Sequence, residues 1–279
     1  MWTDRLKFLF MSGWEYYRNA KTIYDIDSPF LFQLTKSLFD KSNHPTIYQR
    51  IEDRRNELKK DHSVFEKKDL GHGSLHSAPG SSEINLSTWV SHSSISPYYG
   101  RILYKLVCHM QPKAILELGA AAGISGAYLA SGICTGSFIT IEGDPMAANL
   151  AKRTFEKLSI HIAHVIQGSF EEKLDQVISE NPPELIFIDG NHQSKAVKRY
   201  IDSVLTHLPG GIVVIIVDDI RWNEDMYMAW KALAKDQRWQ LSIDLFRIGL
   251  LIRNEDMKDH QAFKIIESKF KPWHIGLTR

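Results

Sequence analysis

The 279-residue chain contains only two cysteines, Cys108 and Cys134, each in an apolar or small-residue stretch. They indicate neither a disulfide framework nor a zinc cluster, so we expect reduced thiols in a cytoplasmic protein. A long hydrophobic run is also missing, because charged residues interrupt the aromatic N-terminus "MWTDRLKFLFMSGWEYYRNAK". This pattern predicts neither a signal peptide nor a transmembrane segment.

The sequence also lacks an excess of charge of either sign. The chain has 34 Lys and Arg against 33 Asp and Glu, a net charge of +1. This balance gives no clear nucleic-acid signal, because polyanion-binding proteins usually carry a basic excess. With 43% hydrophobic and 24% charged residues, the composition predicts one main globular domain with an extension.

The N-terminal third divides into two parts. Residues 1–68 combine aromatic residues at helical spacing with charge runs, which predicts a helical N-terminal extension. The aromatic set favours a core helix, with a membrane-surface or homodimer face as the alternative; its members are Trp2, Phe8, Phe10, Trp14 and Tyr17. Residues 69–97 are rich in Gly, Ser and His and predict a long loop or lid. Its His72, His76 and His92 are candidate metal ligands, but no Cys accompanies them, so a lid over the neighbouring site is the preferred interpretation.

From residue 98 the pattern becomes regular. Short apolar runs, each followed by a stretch of helical period, occupy residues 114–118, 137–142, 163–167, 184–189 and 211–219. Continuous apolar runs are typical of parallel strands covered on both faces. Residues 98–254 therefore predict an α/β domain, a Rossmann-like, doubly wound, seven-stranded sheet with ligands at the carboxyl ends of its strands. Its end predicts a hairpin turning at 247–249, and residues 255–279 a C-terminal tail.

A glycine turn follows the first of these strands. In "ILELGAAAGISGAYLA", Glu117 and Gly119 end the strand, and Gly123 precedes a helix. Glycine permits a sharp turn close to a ligand, and the helix start offers free amides, although close helix packing also requires small residues. Ala121 breaks the G-x-G-x-x-G dinucleotide fingerprint. The spacing E-x-G-x-x-x-G resembles motif I of class I S-adenosylmethionine-dependent methyltransferases, which implies that cofactor and includes Ala120 in its turn.

The second strand ends in "TIEGDP", which places Glu142 twenty-three residues after Gly119. An acidic side chain at this point can accept both hydrogen bonds of a ribose diol, so Glu142, with its neighbour Gly143, is the predicted ribose site. Asp144 fits a helix cap better, because Pro145 favours the first helical position.

Two further cofactor contacts are predicted. The methyltransferase resemblance implies that "QGSF" borders the adenine, through Gly168, Ser169 and Phe170. Ser125, just inside the first helix of the domain, is placed to meet the methionyl carboxylate.

Carboxylates end the next two strands. Asp189 ends the fourth strand and Asp218 with Asp219 the fifth, so we expect them at the same sheet edge, Asp189 also beside the cofactor. Three close carboxylates repel one another unless a cation or hydrogen bonds compensate, and Mg²⁺ or another divalent ion would do so. Helix capping explains a single Asp but less readily the Asp-Asp pair.

This constellation resembles that of metal-dependent O-methyltransferases of the catechol, caffeoyl-coenzyme A and macrolide-sugar types. The resemblance implies metal ligation by Asp189, Asp218 and Asp219, and base catalysis by His192, three residues beyond Asp189. An imidazole titrates near neutral pH and suits removal of a metal-acidified hydroxyl proton. Capping or packing at the start of the next helix is the alternative for His192.

A closer resemblance covers most of the chain. "DDIRWNEDMYMAW" and Ser28-Pro29-Phe30 are similar to a little-characterised group of class I methyltransferases, chiefly of Bacteroidetes. Together the resemblances imply a metal-assisted methyltransferase acting on a hydroxyl of a small-molecule acceptor. An RNA-modifying methyltransferase and a non-catalytic cofactor-binding or regulatory module remain alternatives, and the acceptor atom, oxygen or nitrogen, stays open.

Overall fold

A computed structural model describes residues 2–41, 45–66, 83–191, 193–257 and 260–272. The helices are α1 (Trp2–Asn19), α2 (Pro29–Phe39), α3 (Thr46–Leu58), α4 (Leu86–Ser93), α5 (Pro97–Met110), α6 (Ile124–Ser131), α7 (Pro145–Leu158), α8 (Phe170–Glu180), α9 (Ser194–His207) and α10 (Glu224–Leu233). The strands are β1 (Val64–Glu66), β2 (Glu83–Asn85), β3 (Ala114–Leu118), β4 (Ser137–Glu142), β5 (Ala163–Gln167), β6 (Leu185–Ile188), β7 (Val213–Val217), β8 (Leu241–Asp244), β9 (Gly249–Arg253) and β10 (Gln261–Lys264). The chain forms two compact units, residues 41–191 and residues 1–40 with 192–279.

The unit of residues 41–191 contains four parallel strands in the order β6-β3-β4-β5. β3 is the first of them in the chain, yet it lies between β6 and β4, so the winding direction reverses beside it. Such a reversal opens a crevice at the carboxyl ends of the strands, where α/β proteins bind ligands. The residues predicted to hold the cofactor all belong to this unit.

The unit of residues 1–40 and 192–279 has the strand order β10-β8-β9-β7. β9 is antiparallel to both β7 and β8, and Gly249 lies opposite Val217 on one side and Asp244 on the other. This confirms the predicted hairpin. β10 pairs in parallel with β8, so the described strands from β3 onward number eight rather than seven. The extra strand lies in the segment predicted as a tail.

Helix α1 belongs to the same unit as β10. Tyr16 is buried and donates a hydrogen bond to the Ile265 carbonyl. Phe10 and Trp14, by contrast, are 75% and 59% exposed. The prediction that the aromatic set is a helix core is therefore wrong for these two, because a different face of α1 packs inward.

The segment predicted as a loop contains regular structure where it is described. β2 pairs antiparallel with β1, which lies in the segment predicted as the helical extension, and α4 follows β2 at once. The Asn85 side chain accepts a hydrogen bond from the Thr88 amide, 3.2 Å away, and caps the helix. Trp89 and Val90 are buried. Capping and this apolar pair explain a helix in a serine-rich sequence. His92 lies in α4, whereas His72 and His76 fall outside the described residues.

Within the described part of the chain, no helix has the length and apolar character needed to cross a bilayer.

Candidate cofactor site

The turn after β3 requires glycine at two points. Gly119 has φ +101°, and a Cβ there would lie 2.9 Å from the Asp189 carbonyl oxygen. Gly123 has φ +76° and directly precedes α6; its Cβ would lie 3.0 Å from Ala151 Cα. Both the left-handed backbone and the close approach of neighbouring main chain exclude a side chain. The predicted sharp turn is confirmed at both positions.

Glu142 is held by backbone amides of two different turns. The Ala121 amide donates to its Oε2 at 2.9 Å, and the Asp144 amide donates to its Oε1 at 3.0 Å. Each carboxylate oxygen can accept a further hydrogen bond, so the group keeps the capacity to accept from a diol. Ala121 has φ +46°, a conformation that costs a non-glycine residue about 1–2 kcal/mol. The hydrogen bond to Glu142 compensates for this cost.

The predicted helix cap follows in the same turn. Asp144 Oδ1 accepts hydrogen bonds from the Met146 and Ala147 amides at 2.8 and 2.9 Å. These hydrogen bonds confirm that Asp144 caps α7, and the ribose contact of Glu142 stays a prediction.

Glu117 and Ser125 face each other inside the unit. Ser125 Oγ donates to Glu117 Oε1 at 2.6 Å, and the Glu117 side chain is fully buried. Burial raises the pKa of Glu117 to about 7; the Ser125 hydrogen bond lowers it, and the Glu142 charge adds to the increase. The Ser125 hydroxyl, predicted to meet the methionyl carboxylate, is therefore engaged by Glu117, while the first turn of α6 presents backbone amides beside it.

This buried acid predicts a pH-dependent stability. Glu117 titrates near 4.5 when exposed and near 7 in the fold, so the free energy of unfolding falls as pH rises from about 4.5 to about 7. Glu117→Gln removes this fall. We expect its stability relative to the parent to improve by about 3 kcal/mol between pH 4 and pH 8. Urea denaturation at both pH values measures this, with the exposed Glu180→Gln as control. An unchanged difference would contradict a buried titrating Glu117.

The turn after β5 lies next to the end of β6. The Gly168 amide donates to the Glu142 carbonyl at 3.0 Å, and Ser169 Oγ accepts from the Glu172 amide at 3.3 Å as the cap of α8. The Phe170 ring packs against Gly190, where a Cβ would lie 2.5 Å from it. Ring and glycine backbone are thus in direct contact beside Asp189.

The cofactor-site residues predicted from the sequence share one edge. All lie at or just beyond the carboxyl ends of β3, β4, β5 and β6, and they are Glu117, Gly119, Ala120, Gly123, Ser125, Glu142, Gly143, Gly168, Ser169, Phe170 and Asp189. Ala121 was missed as a contributor, although its failure to match the glycine fingerprint marked the position. Cofactor contact by these residues stays a prediction.

In the other unit, Asp218 and Asp219 follow β7. Arg247 donates to both oxygens of Asp218, through Nε at 2.9 Å and Nη2 at 2.8 Å, and its Nε lies 3.2 Å from Asp219 Oδ1. Burial, and then the charge of Asp218, raise the pKa of Asp219 to about 7, while Arg247 lowers it. The charge of Arg5 also lowers the pKa of Asp219, but the cation in contact with both carboxylates is the Arg247 guanidinium.

The predicted metal ligands do not fit a divalent ion in this arrangement. Both Asp218 oxygens are engaged by Arg247, and among the described residues no group of three or more His, Cys, Asp or Glu side chains could hold a metal. Arg247 was not anticipated as their partner. His192, the predicted base, lies outside the described residues.

Known proteins resemble the part of the chain from β3 to just beyond β7. Residues 116–220 match the methyltransferase domain family. This match confirms the predicted resemblance to methyltransferases. A catechol O-methyltransferase of Niastella koreensis is 34% identical over 102 residues, which are 35% of this chain and 46% of that protein. The chain spans about half the length of the curated relatives it matches.

Solved structures share the fold. An S-adenosylhomocysteine-bound methyltransferase of Podospora anserina has a TM-score of 0.56 at 16% identity, covering 83% of this chain and 97% of its own. An O-methyltransferase of Bacillus cereus, also solved with S-adenosylhomocysteine, has a TM-score of 0.52 at 17% identity, covering 80% and 96%. These similarities confirm the predicted Rossmann-like α/β class.

Proposed function

We propose that the protein is an S-adenosylmethionine-dependent methyltransferase that methylates a hydroxyl group of a small molecule. The observation that carries this proposal is the position of Glu142, fixed by the amides of Ala121 and Asp144 at the end of β4. A carboxylate held in this way is preorganised to accept hydrogen bonds from a ribose diol. The matching relative named a catechol O-methyltransferase supports a hydroxyl as acceptor.

Each predicted contact has a separate task. Glu142 binds the ribose, the first-turn amides of α6 bind the methionyl carboxylate, and Phe170 borders the adenine. When bound, S-adenosylmethionine supplies an electrophilic methyl group. We propose that His192 takes the proton of the acceptor hydroxyl, so that the oxygen lone pair is free to form the O–CH₃ bond as the S–CH₃ bond breaks. Orientation of the acceptor supplies much of the remaining rate.

No metal ion is part of this proposal, because the Arg247 guanidinium binds both Asp218 oxygens and its positive charge would repel a second cation there. A homodimer and a cytoplasmic location stay predictions.

Glu142→Gln tests the cofactor site. The substitution removes the charge and turns an amide donor toward the donating N–H of Ala121 or Asp144, so both the ribose contact and the preorganisation are lost. Charge-assisted hydrogen bonds contribute about 1.5–3 kcal/mol, so we expect S-adenosylhomocysteine to bind about 10- to 150-fold more weakly. Titration calorimetry measures this, with the exposed Glu172→Gln as matched control.

Two results would count against the proposal. If the parent protein binds no S-adenosylhomocysteine, the cofactor assignment fails and the methyl-transfer chemistry fails with it. If binding is tight but Glu142→Gln binds equally well, the cofactor lies elsewhere. Tight binding without transfer to any phenol, catechol or sugar tested would instead indicate a cofactor-binding module.

A further inference from the structure

Two short segments of one unit share the pattern Asp-x-x-Arg. The first is "DDIR", from Asp218 to Arg221, and the second is "DLFR", from Asp244 to Arg247. β7 and β8, which precede them, flank the antiparallel β9. Each arginine binds the aspartate of the other segment: Arg221 donates to both Asp244 oxygens at 2.8 and 2.7 Å, and Arg247 to both Asp218 oxygens. The two ion pairs form a reciprocal lock between the strand ends.

The reciprocal lock also fixes the position of Arg247. Arg247 lies in the turn between β8 and β9, in which Phe246 has φ +74° and donates its amide to Asp244 Oδ1 at 2.8 Å. Arg221 donates to the Phe246 carbonyl, and the Ile220 amide donates to the Arg247 carbonyl at 3.0 Å. The buried Arg221–Asp244 pair therefore holds the turn that presents Arg247 to Asp218.

We infer that Arg247 is the resident cation of the Asp218–Asp219 pair, and that the protein neither binds nor needs a divalent metal ion there. A guanidinium matches a carboxylate through two parallel hydrogen bonds and carries a permanent charge. The Asp218 side chain is fully buried, whereas the Arg247 side chain is 29% exposed. The guanidinium of Arg247 thus contacts both carboxylates, and a metal ion that bound Asp218 would have to displace it from that carboxylate.

This inference narrows the chemical class of the methyl acceptor, a step that rests on the proposed function. A metal lowers the pKa of a bound hydroxyl, and a vicinal diol helps by chelating the ion. Without the ion, the acceptor needs an acidic hydroxyl of its own: a phenol ionises at about 10, as tyrosine does, whereas water ionises at about 15.7. Phenols are therefore the predicted acceptor class, and a catechol has no advantage over a monophenol.

Metal binding is the test, because it does not depend on turnover. Mn²⁺ is titrated into the full-length parent, Arg247→Met and the matched Arg238→Met, whose guanidinium joins an exposed ion pair with Asp202. Free Mn²⁺ is followed by electron paramagnetic resonance. We expect no stoichiometric binding at 1 mM, roughly the weak end of protein sites for divalent ions, by the parent or Arg238→Met. Arg247→Met should gain one Mn²⁺ per chain, and Arg247→Met with Asp218→Asn should lose it.

Each other outcome overturns the inference. One Mn²⁺ per parent chain, lost in Asp218→Asn, would make Asp218 a metal ligand. Failure of Arg247→Met to gain Mn²⁺ would show that the guanidinium does not occupy an ion's place; Arg247→Gln replaces this variant if it does not fold. Binding of S-adenosylhomocysteine, measured on the same samples, tests the proposed function separately. With phenol as acceptor, EDTA should change the rate less than about twofold; a larger loss restored by Mg²⁺ would contradict metal independence.

Discussion

Arg221→Ala is expected to lower the free energy of unfolding by about 3–5 kcal/mol, the cost of breaking a buried ion pair by removing one partner. Arg221 and Asp244 are only 4% and 5% exposed. The guanidinium centre also lies 5.2, 4.5 and 5.0 Å from the ring centroids of Tyr16, Tyr227 and Phe246. The substitution therefore leaves a buried carboxylate without its cation and opens a gap among three rings.

Urea denaturation measures this effect, and two further variants interpret it. Arg238→Ala removes a guanidinium that is 42% exposed and should cost less than about 1 kcal/mol. Combining Arg221→Met with Asp244→Leu removes the unpaired charge as well, and should recover much of the loss. A cost for Arg221→Ala no greater than that of Arg238→Ala would show that the lock does not stabilise the fold.

The reciprocal lock affects both the stability of the fold and the access of a metal ion to Asp218. The Arg221–Asp244 pair is buried and shapes the turn, while the Arg247–Asp218 pair lies where the sequence predicted a metal. Arg221→Ala should therefore also loosen Arg247 and let Mn²⁺ compete for Asp218, more weakly than in Arg247→Met. Lower stability together with weak Mn²⁺ binding in Arg221→Ala would show that the two ion pairs depend on each other.

The strands of the α/β part were predictable because burial dictates their composition. β3, β4 and β5 begin and end at the predicted residues, and β6 and β7 lie within the predicted runs. Runs such as "VVIIV" in β7 have every residue buried, and few other structures accommodate such a sequence. The position of Glu142 at the end of β4 was also predictable, because the stretch of sequence between it and Gly119 has the length of one helix and the strand that follows.

The features that the sequence did not predict have a common physical cause: each depends on tertiary contacts. α4 has a serine-rich sequence and depends on burial of Leu86, Trp89 and Val90. The exposed side of α1 is as aromatic as the buried side, so periodicity alone could not choose between them. Repulsion within the Asp-Asp pair was recognised, but the compensating cation lies 29 residues beyond Asp218. The repeated Asp-x-x-Arg pattern was the available signal, and only the hairpin pairing gives it meaning.

His192→Ala is expected to lower kcat for a phenol by about 10²–10⁴-fold, the usual contribution of a positioned general base. S-adenosylhomocysteine affinity should change little, since the predicted cofactor contacts are other residues. The loss should shrink as pH approaches about 10, where a phenol ionises without help. His207→Ala is the matched control, because His207 is the last residue of α9 and contacts the Ser203 carbonyl. Rates measured from pH 6 to 10 separate the two possible roles of His192. A base gives a loss that falls with pH, whereas a capping residue gives a loss that is constant with pH and accompanied by lower stability.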